Sequence, residues 1–168
     1  MFGLILGDTV QFVTLDPPRV RITGRTAYML SPFGEHLIAA EIEESVSLAA
    51  NRIGANITDY SVGALYPQSE GDLGGHLYVV EFSDGAPDSE PLTEFAQTLD
   101  HELCDTNEDY AAHRAGDYGM KSPEIYPVPP GTFAAWMKSR GQLGGQHKIP
   151  RVINDTELFD GLKAFVNF

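Results

Sequence analysis

The chain has 168 residues, which suffices for one well-packed domain and is short for two. Hydrophobic residues make up 42% of the chain, so it can bury a core and does not have the composition of a disordered protein. Its formal net charge of −13 argues against binding to DNA or RNA, because such binding depends on neutralising phosphates with Lys and Arg.

The first residues are typical of β-strands. Leu4-Ile5-Leu6 predicts a short strand that ends at Gly7-Asp8. Alternating side chains predict two further strands, Thr9 to Thr14 and Arg19 to Thr23, which the turn at Asp16-Pro17-Pro18 joins into a hairpin. Because the chain begins on a strand without a lead-in, we expect it to be part of a longer protein.

Beyond the hairpin, the spacing at which apolar residues recur alternates between the spacing typical of helices and that typical of strands. Ile38, Ile42 and Val46 recur at helical spacing and predict an amphipathic helix that ends at Gly54. The predicted elements are, in order, a helix over 37–53, strands over 57–66 and 76–82, helices over 90–105 and 107–115, a strand over 124–128, a helix over 130–139, and a last helix that runs through Leu158, Leu162 and Phe165.

This order predicts an α+β fold, with a small mixed β-sheet flanked by helices and preceded by an N-terminal β-hairpin. We expect Ser89 to be the N-cap of the second helix, and Asn154 or Asp155 to be that of the last. All of it is expected to form a single domain over residues 1–168.

The cysteine and the histidines do not indicate a metal or disulfide site. The five histidines are scattered without ligand spacing, so we expect no metal centre. Cys104 is the lone cysteine and lies in an apolar-periodic segment, which favours a small core side chain and fits a reducing cytoplasm. No apolar run approaches the roughly 20 residues of a membrane span, so we expect no membrane partner.

One segment contradicts the overall charge. Pro130 to Ile153 contains no acidic residue but holds four of the eleven Lys and Arg. Its glycines between Gly141 and Gly145 let backbone approach a ligand, and the donors Gln146, His147, Lys148 and Arg151 follow them. These features favour an anionic ligand, and the alternative is a solvated surface loop.

The individual candidates each have two interpretations. Lys148 is either a mobile charge delivered to a phosphate or polarised carbonyl, or an exposed surface lysine. Arg151 either contacts the ligand or anchors the loop by pairing with a carboxylate. Asp8 either accepts hydrogen bonds from ribose hydroxyls or forms a turn, and Arg25 either meets a ribose or phosphate or pairs with an acid.

Several motifs together resemble one known family. They are L-G-D-T-V (Leu6 to Val10), Gly24-Arg25, F-G-E-H-L (Phe33 to Leu37), E-I-E-E (Glu41 to Glu44), N-E-D-Y (Asn107 to Tyr110) and G-G-Q-H-K-I-P-R (Gly144 to Arg151). The set is similar to the C-terminal domain of the GH3 auxin-responsive acyl acid amido synthetases, and more distantly to other adenylate-forming enzymes.

The resemblance implies a two-step reaction. A carboxylic acid and ATP with Mg²⁺ would give an acyl-adenylate and pyrophosphate, and an amino acid would then attack to give an amide and AMP. A large N-terminal domain would hold most of the pocket, and this small domain would swing over it.

The resemblance also implies residue roles. Asp8 would bind the ribose, and Arg25 would lie near the hinge and the nucleotide. Lys148 would contact the phosphate or acyl oxygen, and Gln146 and Arg151 are assigned to the nucleotide as well. We expect the isolated chain to be inactive, and the alternative is a free-standing, non-catalytic binding or regulatory module of the same fold.

Overall fold

The computed structural model describes residues 8–25, 29–117, 119–142 and 148–168, with only the backbone described at 8, 9, 11, 22–25 and 117. The strands are β1 (Asp8–Leu15), β2 (Pro18–Arg25), β3 (Ile57–Leu65), β4 (Gly75–Phe82), β5 (Glu124–Val128) and β6 (Val152–Ile153). The helices are α1 (Ala39–Arg52), α2 (Ser89–Thr106), α3 (Glu108–Arg114), α4 (Thr132–Ser139) and α5 (Thr156–Val166).

The N-terminal hairpin forms a sheet of its own. Strands β1 and β2 pair antiparallel, from Asp8 opposite Arg25 to Leu15 opposite Pro18. The apolar side chains that the structure describes in it are exposed rather than packed into a core: Phe12 is 62% and Leu15 is 79% accessible. The hairpin predicted from alternation is therefore confirmed, while the strand predicted at Leu4-Ile5-Leu6 lies outside the described residues.

The central sheet has four strands in the order β5-β4-β3-β6. Strands β3 and β4 pair antiparallel, while β6 runs parallel to β3 and β5 runs parallel to β4, so the sheet is mixed. All eight residues of β4 are buried, because helices cover both faces of the sheet. The α+β fold with a mixed sheet and a preceding hairpin is confirmed.

Alternation along the strands separates two cores. On one face, Tyr60, Val62, Tyr78 and Val80 pack against α1, α2 and α3. On the other face, Leu77 and Val79 pack against α4 and α5. The helix residues in these cores are Ile42, Val46, Phe95, Leu99, Leu103 and Tyr110 on the first face, and Phe133, Trp136, Met137, Phe159 and Leu162 on the second.

The ends of two helices test the predicted N-caps, and one of the two predictions was wrong. Asp155 caps α5 as predicted, since its Oδ1 accepts from the Leu158 N–H at 3.0 Å. The prediction that Ser89 caps α2 was wrong: the helix begins at Ser89 and the N-cap is Asp88. The Leu92 N–H donates to the Asp88 carbonyl at 3.0 Å, so the first intrahelical hydrogen bond makes Asp88 the N-cap, and Pro91 fits the first turn because no N–H is needed there.

Within the described ranges, no helix is long and apolar enough to cross a membrane.

Candidate functional site

A cleft of about 450 Å³ lies between the sheet, α4 and the residues that lead into β6. One wall is apolar and the other is charged. The apolar wall is formed by Phe133, Ala134, Met137 and Ile149, and the charged groups are Asp59, Glu81, Lys148 and Arg151. Of the lining residues that the structure describes, both cations thus come from the acid-free segment predicted to meet a ligand.

Two carboxylates lie side by side at the cleft. Asp59 on β3 and Glu81 on β4 are direct cross-strand partners and point to the same face of the sheet. Burial raises the pKa of Asp59, and the neighbouring Glu81 adds to the rise while Arg151 opposes it. The acidic side of the cleft therefore favours a nearby cation.

Glu81 also fixes the start of α4. Its Oε1 accepts from the Gly131 N–H at 2.8 Å and its Oε2 accepts from the Phe133 N–H at 2.9 Å. The side chain is buried, so these bonds offset the cost of removing the carboxylate from water, and a negative charge at a helix N-terminus is itself favourable. Glu81 thereby holds the apolar wall of the cleft against the sheet.

Arg151 ties the cleft to α1. Its Nη1 donates to Glu43 Oε1 at 2.6 Å, and the guanidinium lies 5.0 Å from the centre of the Tyr60 ring. Burial works against the charge of Arg151, but Tyr60 and Glu43 outweigh it and raise the arginine pKa. Burial likewise raises the pKa of Tyr60 to about 12, despite the opposing charge of Arg151. The predicted pairing of Arg151 with a carboxylate is thus present.

The backbone around Arg151 is bound to β3. Ser61 Oγ donates to the Pro150 carbonyl at 2.8 Å, and the Val62 N–H donates to the Arg151 carbonyl at 2.7 Å. The next residue, Val152, pairs with Val62 in the parallel β6 ladder. The chain just after Lys148 is therefore fixed at several points.

Lys148 differs from Arg151 in having no fixed partner. Its side chain is exposed at the cleft and forms no hydrogen bond or ion pair with the residues that the structure describes. A lysine in this position can be directed to an anion without first breaking an ion pair.

The other predicted site residues lie apart or outside the description. Asp8 and Arg25 are partners across the hairpin, and only their backbone is described. Gln146 lies outside the described residues. Of the predicted set, the structure brings Lys148 and Arg151 together in one cleft. Among the described residues, no group of three or more His, Cys, Asp and Glu could hold a metal ion.

Sequence reasoning missed the acidic side of the cleft. Alternation in β3 places Asp59 on the face opposite Tyr60, and Glu81 interrupts an otherwise apolar run in β4. An acidic residue inside a strand that is buried on both faces could have predicted this acidic side, because such a group needs dedicated hydrogen-bond or charge partners. Glu43 had no such signal, since it is one of two adjacent exposed acids on α1.

Two motifs from the sequence form a separate, structural cluster. In F-G-E-H-L, Glu35 Oε1 lies 2.7 Å from His76 Nε2, and both side chains are fully buried. In N-E-D-Y, Asn107 accepts from the Tyr110 N–H at 2.8 Å and donates to Glu41 at 3.1 Å. These motifs join the segment before α1 and the start of α3 to the sheet, away from the cleft's lining residues.

Cys104 is half-buried against the core of the α1–α2 face, as predicted for a small apolar side chain. Burial raises the pKa of its thiol, and the nearby Asp100 adds to the rise while Arg114 opposes it. A raised pKa keeps the thiol protonated, which disfavours a role as nucleophile.

Comparison with known proteins places these features in a family. The model described as "GH3 family C-terminal domain" matches residues 40–157. Two structures of the GH3.15 acyl acid amido synthetase, one of them in complex with 2,4-DB, have TM-scores of 0.71 and 0.70 at 20% and 21% identity. Each match covers 96% of this chain, which spans only about 30% of the length of those proteins. Among curated proteins, no match was found.

Proposed function

The chain belongs to the GH3 family, and we propose that it is the mobile C-terminal domain of an ATP-dependent acyl acid amido synthetase. That enzyme would adenylate a carboxylic acid and conjugate it to an amino acid. The similarity to the GH3.15 acyl acid amido synthetase, of which the matched part is about 30%, supports a place within a larger enzyme.

The observation that carries the proposal is the position of Lys148. It is an exposed lysine without an ion-pair partner among the described residues, and it immediately precedes a backbone segment fixed to β3. Attack of a carboxylate on ATP adds negative charge at the α-phosphate. A lysine that arrives only when the domains close would stabilise that charge in the transition state more than in the ground state.

The nucleotide would supply the adenylyl group, and Mg²⁺ would accompany its phosphates. On this chain, Asp8, Arg25 and Gln146 remain the proposed contacts to the nucleotide, beside the catalytic role of Lys148. For Arg151 a nucleotide contact is one of two proposed roles, and the other is an anchor that pairs with Glu43. The donor set of the acid-free segment suits an anion in a chain that is otherwise strongly acidic.

A partner domain would also cover the hairpin. Val10, Phe12 and Leu15 expose between 53% and 79% of their surface. Clusters of exposed apolar side chains commonly mark interaction sites. An N-terminal adenylation domain joined to this end of the chain is the partner we propose.

The test compares Lys148→Ala with the wild type in the enzyme that carries this domain together with an adenylation domain. We expect ATP–pyrophosphate exchange to fall on the order of 100-fold, as for loss of a preorganised charge contact. Lys138→Ala is the matched control, since Lys138 is exposed in the same acid-free segment but does not line the cleft. Equal exchange rates in Lys148→Ala and the wild type, with the fold retained, would instead favour a non-catalytic binding module.

The chain by itself should not catalyse this exchange, because most of the pocket would lie in the partner domain. Exchange of labelled pyrophosphate into ATP by the isolated chain would contradict this expectation.

A further inference from the structure

The segment that carries Lys148 meets two elements through a single side chain. Arg151 reaches Glu43 on α1 at 2.6 Å and lies over the ring of Tyr60 on β3 at 5.0 Å. Its own carbonyl accepts from Val62, so the main chain and the side chain of Arg151 are both held. We call Arg151, Glu43 and Tyr60 the clamp.

We infer that Arg151 is a positioning residue. It acts with Glu43 and Tyr60 to fix the direction in which the main chain runs between Lys148 and the start of β6. Three residues of extended chain span at most about 10 Å, so an anchor at Arg151 limits where the backbone of Lys148 can go. Pro150 restricts the path further, because its φ is fixed and its carbonyl is held by Ser61. What Lys148 does there rests on the proposed function, whereas the clamp is a property of this chain alone.

The surroundings of Arg151 suit an anchor better than a phosphate contact. The guanidinium has an aromatic ring on one face and a carboxylate against one edge. Asp59 is a further acid close enough to act on its charge. A phosphate would have to compete with Glu43 and would be repelled by both acids, so an anion can reach Lys148 more readily than Arg151.

The clamp acts through geometry and contributes little to overall stability. The Arg151 and Glu43 side chains are 43% and 63% exposed, and exposed ion pairs contribute little to the free energy of unfolding. Orientation can nevertheless matter for a reaction, because small displacements of a catalytic group slow the chemical step. Mobility and rate are therefore the quantities to measure.

The first experiment uses the chain as it stands. Backbone ¹⁵N relaxation reports order at Lys148 and Ile149 in the wild type, Glu43→Gln, Arg151→Met and Glu44→Gln. We expect lower order at these two residues in Glu43→Gln and more so in Arg151→Met, with the unfolding midpoint nearly unchanged. Glu44→Gln is the matched control, because Glu44 is an exposed acid next to Glu43 on α1 and does not contact the clamp. Unchanged order in both clamp variants would overturn the inference.

The second experiment measures ATP–pyrophosphate exchange in the enzyme that carries this domain. We expect kcat to fall by a factor of about 5 in Glu43→Gln, which loses the ion pair, and by a factor of about 20 in Arg151→Met, which also loses the cation–π contact. These factors correspond to the upper range of the free energies of an exposed ion pair and of a cation–π contact. KM for ATP should stay the same. A raised KM for ATP in Arg151→Met, with Glu43→Gln unaffected, would show that Arg151 binds the nucleotide and would refute the inference. Wild-type exchange and its loss in Lys148→Ala test the proposed function separately, so the two failures are distinguishable.

Discussion

At the scale of single residues, the contact between Glu35 and His76 places two polar side chains inside the core. Both side chains are fully buried, and the centres of the Phe33 and Tyr110 rings lie 6.2 and 6.0 Å from that of the imidazole, each in a stacked arrangement. Glu35 Oε2 also accepts from the Phe33 N–H at 2.9 Å. A carboxylate removed from water in this way is tolerated only because its oxygens have partners.

The ionisation of Glu35 leads to a pH prediction. Burial by itself opposes the charge, but the hydrogen bond with His76 and the backbone N–H groups outweigh it and lower the pKa of Glu35 from 4.5. Its contribution to stability is therefore present above pH 4.5 and is lost as the pH falls through the lowered folded value. We expect Glu35→Gln to lower the free energy of unfolding by about 1–3 kcal/mol at pH 7 and to flatten its decline in acid.

Urea unfolding followed by Trp136 fluorescence at pH 7 and in acid would measure this effect. Asp109→Asn is the control, since Asp109 faces His36 in an exposed pair at 3.2 Å and should change stability by less than about 0.5 kcal/mol. A Glu35→Gln variant as stable as the wild type at pH 7 would show that the buried pair contributes nothing.

At the scale of elements, Gly63 determines how closely α5 lies on the sheet. A Cβ at Gly63 would come within 2.7 Å of the Phe159 ring, which real contacts do not allow. Gly161 lies in α5 itself, where a Cβ would meet nothing within 4 Å. The first glycine is needed for packing, whereas the second only weakens its helix.

These two glycines give predictions of opposite sign. Gly63→Ala should destabilise the domain by about 1–3 kcal/mol, because the ring of Phe159 must move out of a packed core. Gly161→Ala should stabilise it by about 0.5–1 kcal/mol, through helix propensity. Thermal unfolding of both variants measures the difference, and a shift in the same direction for both would show that α5 is not packed as described.

Elements with a strong period were predicted well, and so was the five-residue strand β5, but the two-residue strand β6 was not. The helix expected over 37–53 is α1 at Ala39–Arg52, and the strand expected over 76–82 is β4 at Gly75–Phe82. Strand β6 was not predicted, because its two residues are too few to show a period. It forms only because β3 offers a neighbour for parallel pairing.

At the scale of the whole molecule, charge is the dominant property. Thirteen Asp and Glu occur between Arg52 and Arg114 without an intervening Lys or Arg, while four of the eleven Lys and Arg lie in the acid-free segment. A net charge of this sign repels nucleic acid, and the acid-free segment is too short to reverse that effect.

The chain should therefore pass through heparin and DNA columns without retention at physiological salt. An anion-exchange column run in the same buffer is the control, and it should retain the protein. Binding to heparin under these conditions would mean that the basic residues form a larger surface than the described structure indicates.

The sequence by itself determined the order of the periodic helices and strands, the hairpin, a cap at Asn154 or Asp155, the acid-free segment and the family resemblance. All of these depend on residues close together in the chain, where periodicity and local hydrogen bonds act. Only the tertiary structure decided which acids accompany Lys148 and Arg151. Glu43 lies 108 residues from Arg151, and Glu35 lies 41 residues from His76. Such partners are chosen by the packing of helices against the sheet, which brings distant segments into contact in a way that no local pattern specifies.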